Sequence, residues 1–352
     1  MAKTDEEAAL VEVQRLAEVA PLPTEIDPEL NFTFKFDQSR TFTDVSKSSI
    51  ARELLMSQDE FNATAPGFLA GYYSEARTNP NANLSWQLKN FTLLFTDADA
   101  AKRAVPAVGE KHRHALGDKY QGTNLAKYPE AHATWTSLFD TLYVWHSFDR
   151  FLILTVINDK VSDQIGSPDL PGMQAKAEKS IAAMSTRLAK FTPTPRDKWN
   201  TLNRDVDDML AMTVPAINDT QANSVTIPAV YETHGALQVS PKIADDQRLF
   251  DETGVDLASF NGGALYRAKD AKSAQQLAER RSQLGRMFIV APSPEGLPSA
   301  KCHENREKFR GVDPRYYCTI SFDRYAAQIS ANQLSDAHQR ISAQYSLLAN
   351  SK

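Results

Sequence analysis

At 352 residues, 42% apolar and 24% charged, the chain suits two ordinary domains and is too apolar to be disordered. Its net charge is −5 and its longest basic cluster is only Lys111–His112–Arg113–His114, which argues against the dense basic face of a nucleic-acid binder. No apolar run nears the roughly 20 residues that span a bilayer, since Phe151–Ile157 is only strand-length.

Met1 to Thr4 lead straight into Asp5-Glu6-Glu7 with no secretory leader, which fits either a cytoplasmic protein or an exported one written without its leader. Thr4 and Glu7 read as a capping box, and Leu10, Val13 and Leu16 continue one apolar stripe, so a helix is expected over 4–20. Pro21 and Pro23 end it. Residues 50–76 read as one or two helices broken near Pro66-Gly67, and "TNPNANLS" (78–85) as a turn-rich loop. Trp86–Phe95 is a strand, after which Asp97 or Asp99 opens a helix that Pro106 should kink or interrupt. Strands are expected at Thr134–Phe139 and over 141–159, the latter folding as a hairpin about Ser147–Arg150, with a helix over Met173–Lys190.

The second half follows the same order. "HGALQVS" (234–240) reads as a strand, Pro241–Glu252 as a helix, and "GGALYRAKDAKSAQQL" (262–277) as a strand then a helix. "YYCTISFDRYAAQIS" (316–330) forms a hairpin about Ser321–Arg324, and Leu334, Ala337, Ile341, Tyr345 and Leu348 make the stripe of a last helix. Asp99-Ala100 recurs 171 positions on as Asp270-Ala271, and Ser147–Arg150 recurs 174 positions on as Ser321–Arg324. Agreement of offset and element order points to a duplicated unit. The fold expected is α+β: two pseudo-repeated lobes, each a mainly antiparallel sheet with helices packed on one face. The lobes are placed at 1–190 and 221–352, with the proline-bearing stretch 191–220 as connector and a short helix near Val206–Met212.

The two cysteines, Cys302 and Cys318, lie sixteen positions apart. A zinc site would need two further ligands, and the C-x-x-C of a redox pair is absent. Period-two reading puts Tyr316, Cys318, Ile320 and Phe322 on one apolar face, while Ala300–Pro314 reads as a polar loop. A disulfide tying that loop to the sheet, at about 3 kcal/mol, and two buried thiols are the readings left. The disulfide goes with export to an oxidising compartment.

"VQRLAEVAPLPTEIDPEL", "FTPTPRDKWNTLNRDVDDMLAMTVP", "LFDETGVDLASFNGGALYRAKDA" and "GLPSAKCHENREKFRGVDPRYYCTISFDRYAAQISANQLSDAHQRISAQYSLLAN" resemble the actinobacterial domain of unknown function 7373, DUF7373. Members are mostly secreted lipoproteins of mycobacteria, nocardiae and rhodococci, and the resemblance covers nearly the whole chain. It implies export, lipid attachment at an upstream Cys that this sequence lacks, and pairing of Cys302 with Cys318. The strand–helix units also resemble, more distantly, the extracellular sensor domain of a mycobacterial Ser/Thr kinase. The family brings no catalytic residues.

Candidate site residues have bland readings. His112 and His114 diverge on a helix and read as a solvated face; His146 reads as exposed beside a turn and His338 as satisfied and partly buried. Asp205, Asp207 and Asp208 lack the spacing and glycine of a calcium loop and read as acids at a helix N-terminus. Asp149 and Asp323 should accept local backbone amides in their turns, with Arg150 and Arg324 serving structure before a ligand. Tyr72-Tyr73 and Tyr316-Tyr317 should each turn one ring inward and one outward. No G-x-S-x-G, H-E-x-x-H, P-loop or dinucleotide fingerprint occurs.

No catalytic, cofactor or metal-binding residue is therefore assigned, and no cofactor is expected. The function expected is an exported, lipid-anchored envelope protein that binds a lipid, a glycolipid or an envelope protein without catalysis. The alternatives are an envelope hydrolase or transferase with its site between the lobes, and a structural interaction module.

Overall fold

Two antiparallel hairpins, each closed by an Asp-Arg turn, organise the chain. The computed structural model describes residues 4–33, 40–215, 228–283, 285–307 and 314–351. The described chain forms two compact units, one running through Leu202 and including Leu237–Ala244, the other holding the remainder.

In chain order the first elements are α1 (Asp5–Gln14), α2 (Pro23–Ile26), β1 (Thr41–Phe42), α3 (Ala51–Leu54), α4 (Gln58–Thr64), β2 (Phe68–Arg77) and β3 (Trp86–Phe95). Then come α5 (Ala98–Leu116), β4 (Gln121–Thr123), β5 (His132–Thr136), β6 (Thr141–Phe148), β7 (Phe151–Asp159), α6 (Lys160–Ile165) and α7 (Leu170–Leu188). The seven strands form one antiparallel sheet in the order β1-β2-β3-β7-β6-β5-β4. Phe91, Leu93, Phe95, Trp145, Leu152 and Leu154 on one face pack against Ala101, Ala104, Val105 and Val108 of α5. Gly109 brings α5 close to the sheet, since a Cβ there would fall 2.4 Å from Cγ of His132. On the other face, Ser180 of α7 donates to Asn90 Oδ1 at 3.1 Å, and Thr155 donates to the same oxygen at 2.8 Å.

The chain continues with β8 (Ala229–Glu232), α8 (Thr233–Gln238), α9 (Ile243–Thr253), β9 (Leu257–Phe260), β10 (Gly263–Arg267) and α10 (Ala271–Arg281). It closes with β11 (Phe288–Ala291), β12 (Lys301–Asn305), β13 (Tyr316–Phe322), β14 (Tyr325–Ala331) and α11 (Leu334–Asn350). These seven strands form an antiparallel sheet in the order β11-β12-β13-β14-β10-β9-β8. Ala337, Ile341 and Leu348 of α11 pack on the face carrying Leu265, Cys318, Ile320, Ala327 and Ile329. The guanidinium of Arg281, on α10, lies 4.8 Å from the ring centre of Tyr266, which faces the other way from Leu265 along β10.

Reversing the second order aligns the two sheets strand for strand, which gives the duplication a topological basis. In each lobe the strand before the Asp-capped helix (β3 before α5, β10 before α10) pairs with the second arm of the hairpin. The N–H of Phe95 donates to the Arg150 carbonyl at 2.9 Å, and that of Ala268 to the Arg324 carbonyl at 2.8 Å. Asp149 and Asp323 both sit at φ 47° in their turns, a left-handed conformation that Asp tolerates. The helix caps correct the repeat register. Asp97 accepts from the Ala100 N–H at 2.7 Å and Asp270 from the Ser273 N–H at 2.7 Å, so Asp270 corresponds to Asp97 and not Asp99.

The α+β class and the two antiparallel lobes are as the sequence reads. Helices cover both faces of each sheet, whereas one face was expected, and this explains why Tyr72 and Tyr73 are both buried instead of one facing out. Residues 68–76, read as helix, fall in β2, because "FLAGYYSEAR" is buried on both faces and so lacks strand alternation. "HGALQVS", read as strand, begins with helix α8. Pro106 does not interrupt α5: it lies on the exposed side, where the carbonyl it leaves free meets water. Thr4 caps α1 by accepting the Glu7 N–H at 3.1 Å.

Cys302 lies on β12, not in a loop, and faces Cys318 on β13, to which it is disulfide-bonded with Cα atoms 4.1 Å apart. Residues 308–313 of the expected loop lie outside the described residues. Aligning the hairpins places Ala133 and Val144 of the first sheet, paired across β5 and β6 and both buried, where the second sheet has its disulfide. The double variant Cys302→Ala, Cys318→Val should therefore fold, with unfolding free energy lowered by about 2–4 kcal/mol in urea melts. A double variant that does not fold would show that the second sheet, unlike the first, cannot form on packing alone.

Candidate functional site

A bulge starts the site. Register between β2 and β3 slips between Phe68 and Ala70, so Leu69 has no partner on β3. An unpaired bulge residue is free to re-aim its side chain, and Leu69 lines two adjoining cavities of the first unit. The outer cavity, about 610 Å³, is bordered by the start of α1 (Asp5, Glu6, Ala8, Ala9), by Thr43, Asp44 and Gln58, and by Phe68. The inner cavity, about 430 Å³, has Leu94, Phe95, Thr96 and Arg150 on the sheet side and Pro193–Arg196 opposite. Arg196 and Trp199 border both. Both volumes fall in the roughly 300–1,000 Å³ range of small-molecule sites.

The wall of residues 193–200 is remote in sequence and is held by α1. The buried carboxylate of Glu12 accepts the Thr194 N–H at 2.7 Å and binds Arg15 at 2.8 Å. Arg15 in turn donates to Thr194 Oγ1 at 2.7 Å and lies over the ring of Phe191. Trp199 is 7% exposed, and its indole N–H donates to the Thr194 carbonyl at 2.9 Å. A buried carboxylate held by a backbone N–H and a part-exposed arginine is a firm support, because removing the arginine would leave the buried charge without its ion-pair partner.

The lining is amphiphilic. Leu69, Leu94, Phe95, Trp199 and two prolines supply apolar surface, Arg150 and Arg196 supply positive charge, and Asp5, Glu6, Asp44 and Asp197 gather around the outer cavity. Asp44 is held below the usual carboxylate range by hydrogen bonds from Ser46 and Lys47, acting against its partial desolvation. An acid kept ionised cannot donate a proton near neutral pH.

The strongly shifted groups lie elsewhere. His112, read as solvated, is 1% exposed in the core under α5, and burial pushes its pKa down to about 4. The indole of Trp145 donates to its Nδ1 at 3.1 Å, so its proton is on Nε2 and goes to the Glu53 carbonyl at 2.6 Å. His146, read as exposed, is 2% exposed on β6, and burial lowers its pKa to about 3. The reasons differ: His112 lies on the side of α5 that packs on Tyr143 and Trp145, and His146 points to the opposite face of the sheet from Trp145. His114 is exposed, and His338 bonds the Pro292 carbonyl at 2.8 Å while partly buried. Burial raises the Asp140 pKa, but its oxygens accept from the Trp135 indole and the Asp169 N–H, away from the cavities.

Asp205 caps a turn through the N–H groups of Leu210 and Ala211, and Asp207 pairs with Arg267 at 2.7 Å. No group of three or more metal-ligating side chains occurs among the described residues. Of the residues weighed in the sequence, Arg150 alone lines the cavities; Leu69, Arg196 and Trp199 carry no sequence signal, since a bulge and a packed connector are products of tertiary structure.

Both buried histidines are neutral in the folded chain and titrate near 6.5 when unfolded, so the unfolded state takes up protons first as pH falls. Stability is full above pH 6.5 and declines below it, by roughly 2 kcal/mol per histidine at pH 5. His146→Leu should lose roughly 2 kcal/mol less than wild type in urea melts between pH 7 and pH 5; an unchanged loss would remove His146 from the account.

No curated protein matches the chain. Among solved structures, the extracellular domain of PknH from Mycobacterium tuberculosis matches with 15% identity over 51% of this chain and 97% of that one, at a TM-score of 0.30. No described helix is long and apolar enough to cross a membrane. Two family models cover the sequence end to end, the N-terminal part of the domain of unknown function DUF7373 over residues 1–204 and its C-terminal part over 209–351, so the chain belongs to this family.

Proposed function

We propose that the protein is an exported, envelope-associated binding module without a catalytic centre, and that its ligand occupies the cavities around Leu69 and Trp199. The observation that carries this reading is the bulge-built, amphiphilic lining, separate from the titratable groups whose pKa values are strongly shifted. Catalytic sites gather such groups around the substrate, whereas binding sites need shape and a few polar contacts. Export is supported by the Cys302–Cys318 bond, which persists in oxidising compartments. Lipid attachment and an envelope partner belong to the same proposal.

A neutral apolar dye, Nile red, should bind the full chain with a fluorescence increase, and Leu69→Trp should weaken it at least ten-fold by filling the junction of the cavities. Absence of binding, or binding indifferent to Leu69→Trp, would overturn the reading.

A protein-contact role is the second reading, favoured by edge strand β11. It leaves Ile289 44% and Val290 80% exposed, whereas the matching edge of the first sheet is the short polar β4. Exposed apolar edges are templates for strand addition.

A further inference from the structure

We infer that the inner cavity takes a single-chain anionic amphiphile, its carboxylate or phosphate head on Arg150 and its chain running past Leu69 and Trp199 toward Phe68. The inference rests on the cavity being the binding site. The two turns supply the observation. Arg324, in the second hairpin, donates from Nε to the Ala268 carbonyl at 3.0 Å and reaches Asp256 at 3.7 Å, so its charge is used within the fold. Arg150, its counterpart, makes neither contact. Its side chain is 39% exposed, yet its Nε is shielded from solvent without a hydrogen-bond partner, and its ion-pair neighbour is Asp149, the adjacent turn residue, at 3.9 Å.

A buried donor on a guanidinium is costly to leave unmet and is met by an acceptor that enters the cavity. Guanidinium favours carboxylate and phosphate through its planar fork. Charge orients the ligand further. The outer cavity carries four acids, which repel an anionic head, while the inner one has no acid, shares Arg196 with the outer and alone has Arg150. The apolar stretch between them suits a chain and not a second head.

The test is calorimetric titration of the full chain with dodecanoate, dodecyl phosphate and dodecyltrimethylammonium, each below its micellar concentration. Both anions should bind, the cation at least ten-fold more weakly, and the stronger anion tells a free fatty acid from a phosphate-headed lipid. Arg150→Gln should weaken the anions about ten-fold, Arg150→Lys, which keeps the charge but not the fork, should recover only part of that loss, and Arg324→Gln should leave the affinity unchanged. Should Arg150→Gln not fold, Thr96→Asp, which adds an acid to the inner cavity, should weaken the anions likewise. Equal binding of the cation, or anion affinity indifferent to Arg150→Gln and Thr96→Asp, overturns the head-group assignment. If Nile red still enters, the binding reading stands without it; if Nile red and all three amphiphiles fail together, both fall.

Discussion

One backbone hydrogen bond sets each lobe: the N–H after the last residue of a central strand's ladder, given to the carbonyl of a hairpin's arginine. It fixes the register of β3 on β7 and of β10 on β14. The aspartate that caps the following helix comes within two residues in each case, so the helix must start at the same end of the sheet. From there the remaining strands can only be added outward, hairpin arm first. The identity of the two strand orders follows from that start, since antiparallel neighbours close in sequence pair first.

The pairing is non-local in both lobes, with Leu94 meeting Phe151 and Arg267 meeting Tyr325. Closing such loops costs entropy that local contacts do not offset, so the hairpins β6–β7 and β13–β14 are natural early structures on which the distant strand docks. The Asp residues at φ 47° fit this order, because they preset the turn before any long-range contact forms.

Elements governed by local rules were legible. Trp86–Phe95, both hairpins and the last helix stand where alternation, turn residues and helical stripes put them. Most failures share a cause. β2, His146 and the Tyr72-Tyr73 pair are buried on sides that a one-face sheet would leave in water, and burial on both faces erases the pattern that distinguishes strand from helix. His112 instead continues the sheet-facing stripe of Ala101, Ala104, Val105 and Val108 on α5. Cys302 was misplaced because β12, with Lys301, His303 and Glu304, has the composition of a loop; it is a strand by virtue of its neighbours β11 and β13. The cavities were illegible for a further reason: their lining joins a bulge, a turn arginine and a connector wall that only tertiary structure brings together.

Duplication makes the differences between lobes informative, because the shared frame acts as an internal reference. At the paired positions on the strands flanking the hairpin, one lobe has an apolar Ala133–Val144 contact and the other a covalent bond. At the turn the asymmetry runs in the other direction: the second lobe engages its arginine with a strand carbonyl, and the first leaves the equivalent guanidinium facing a cavity. Neither change disturbs strand order, so the frame does not require a particular residue at either place. A position that the fold leaves free, and whose Nε–H has no partner beside apolar walls, is one that the proposed ligand would engage without disturbing the frame. The covalent bond lies in the lobe whose arginine is committed to the frame, and the two adjoining cavities lie in the lobe whose arginine is not. That division of properties is what a fold would acquire if one copy kept to structure while the other was adapted for binding.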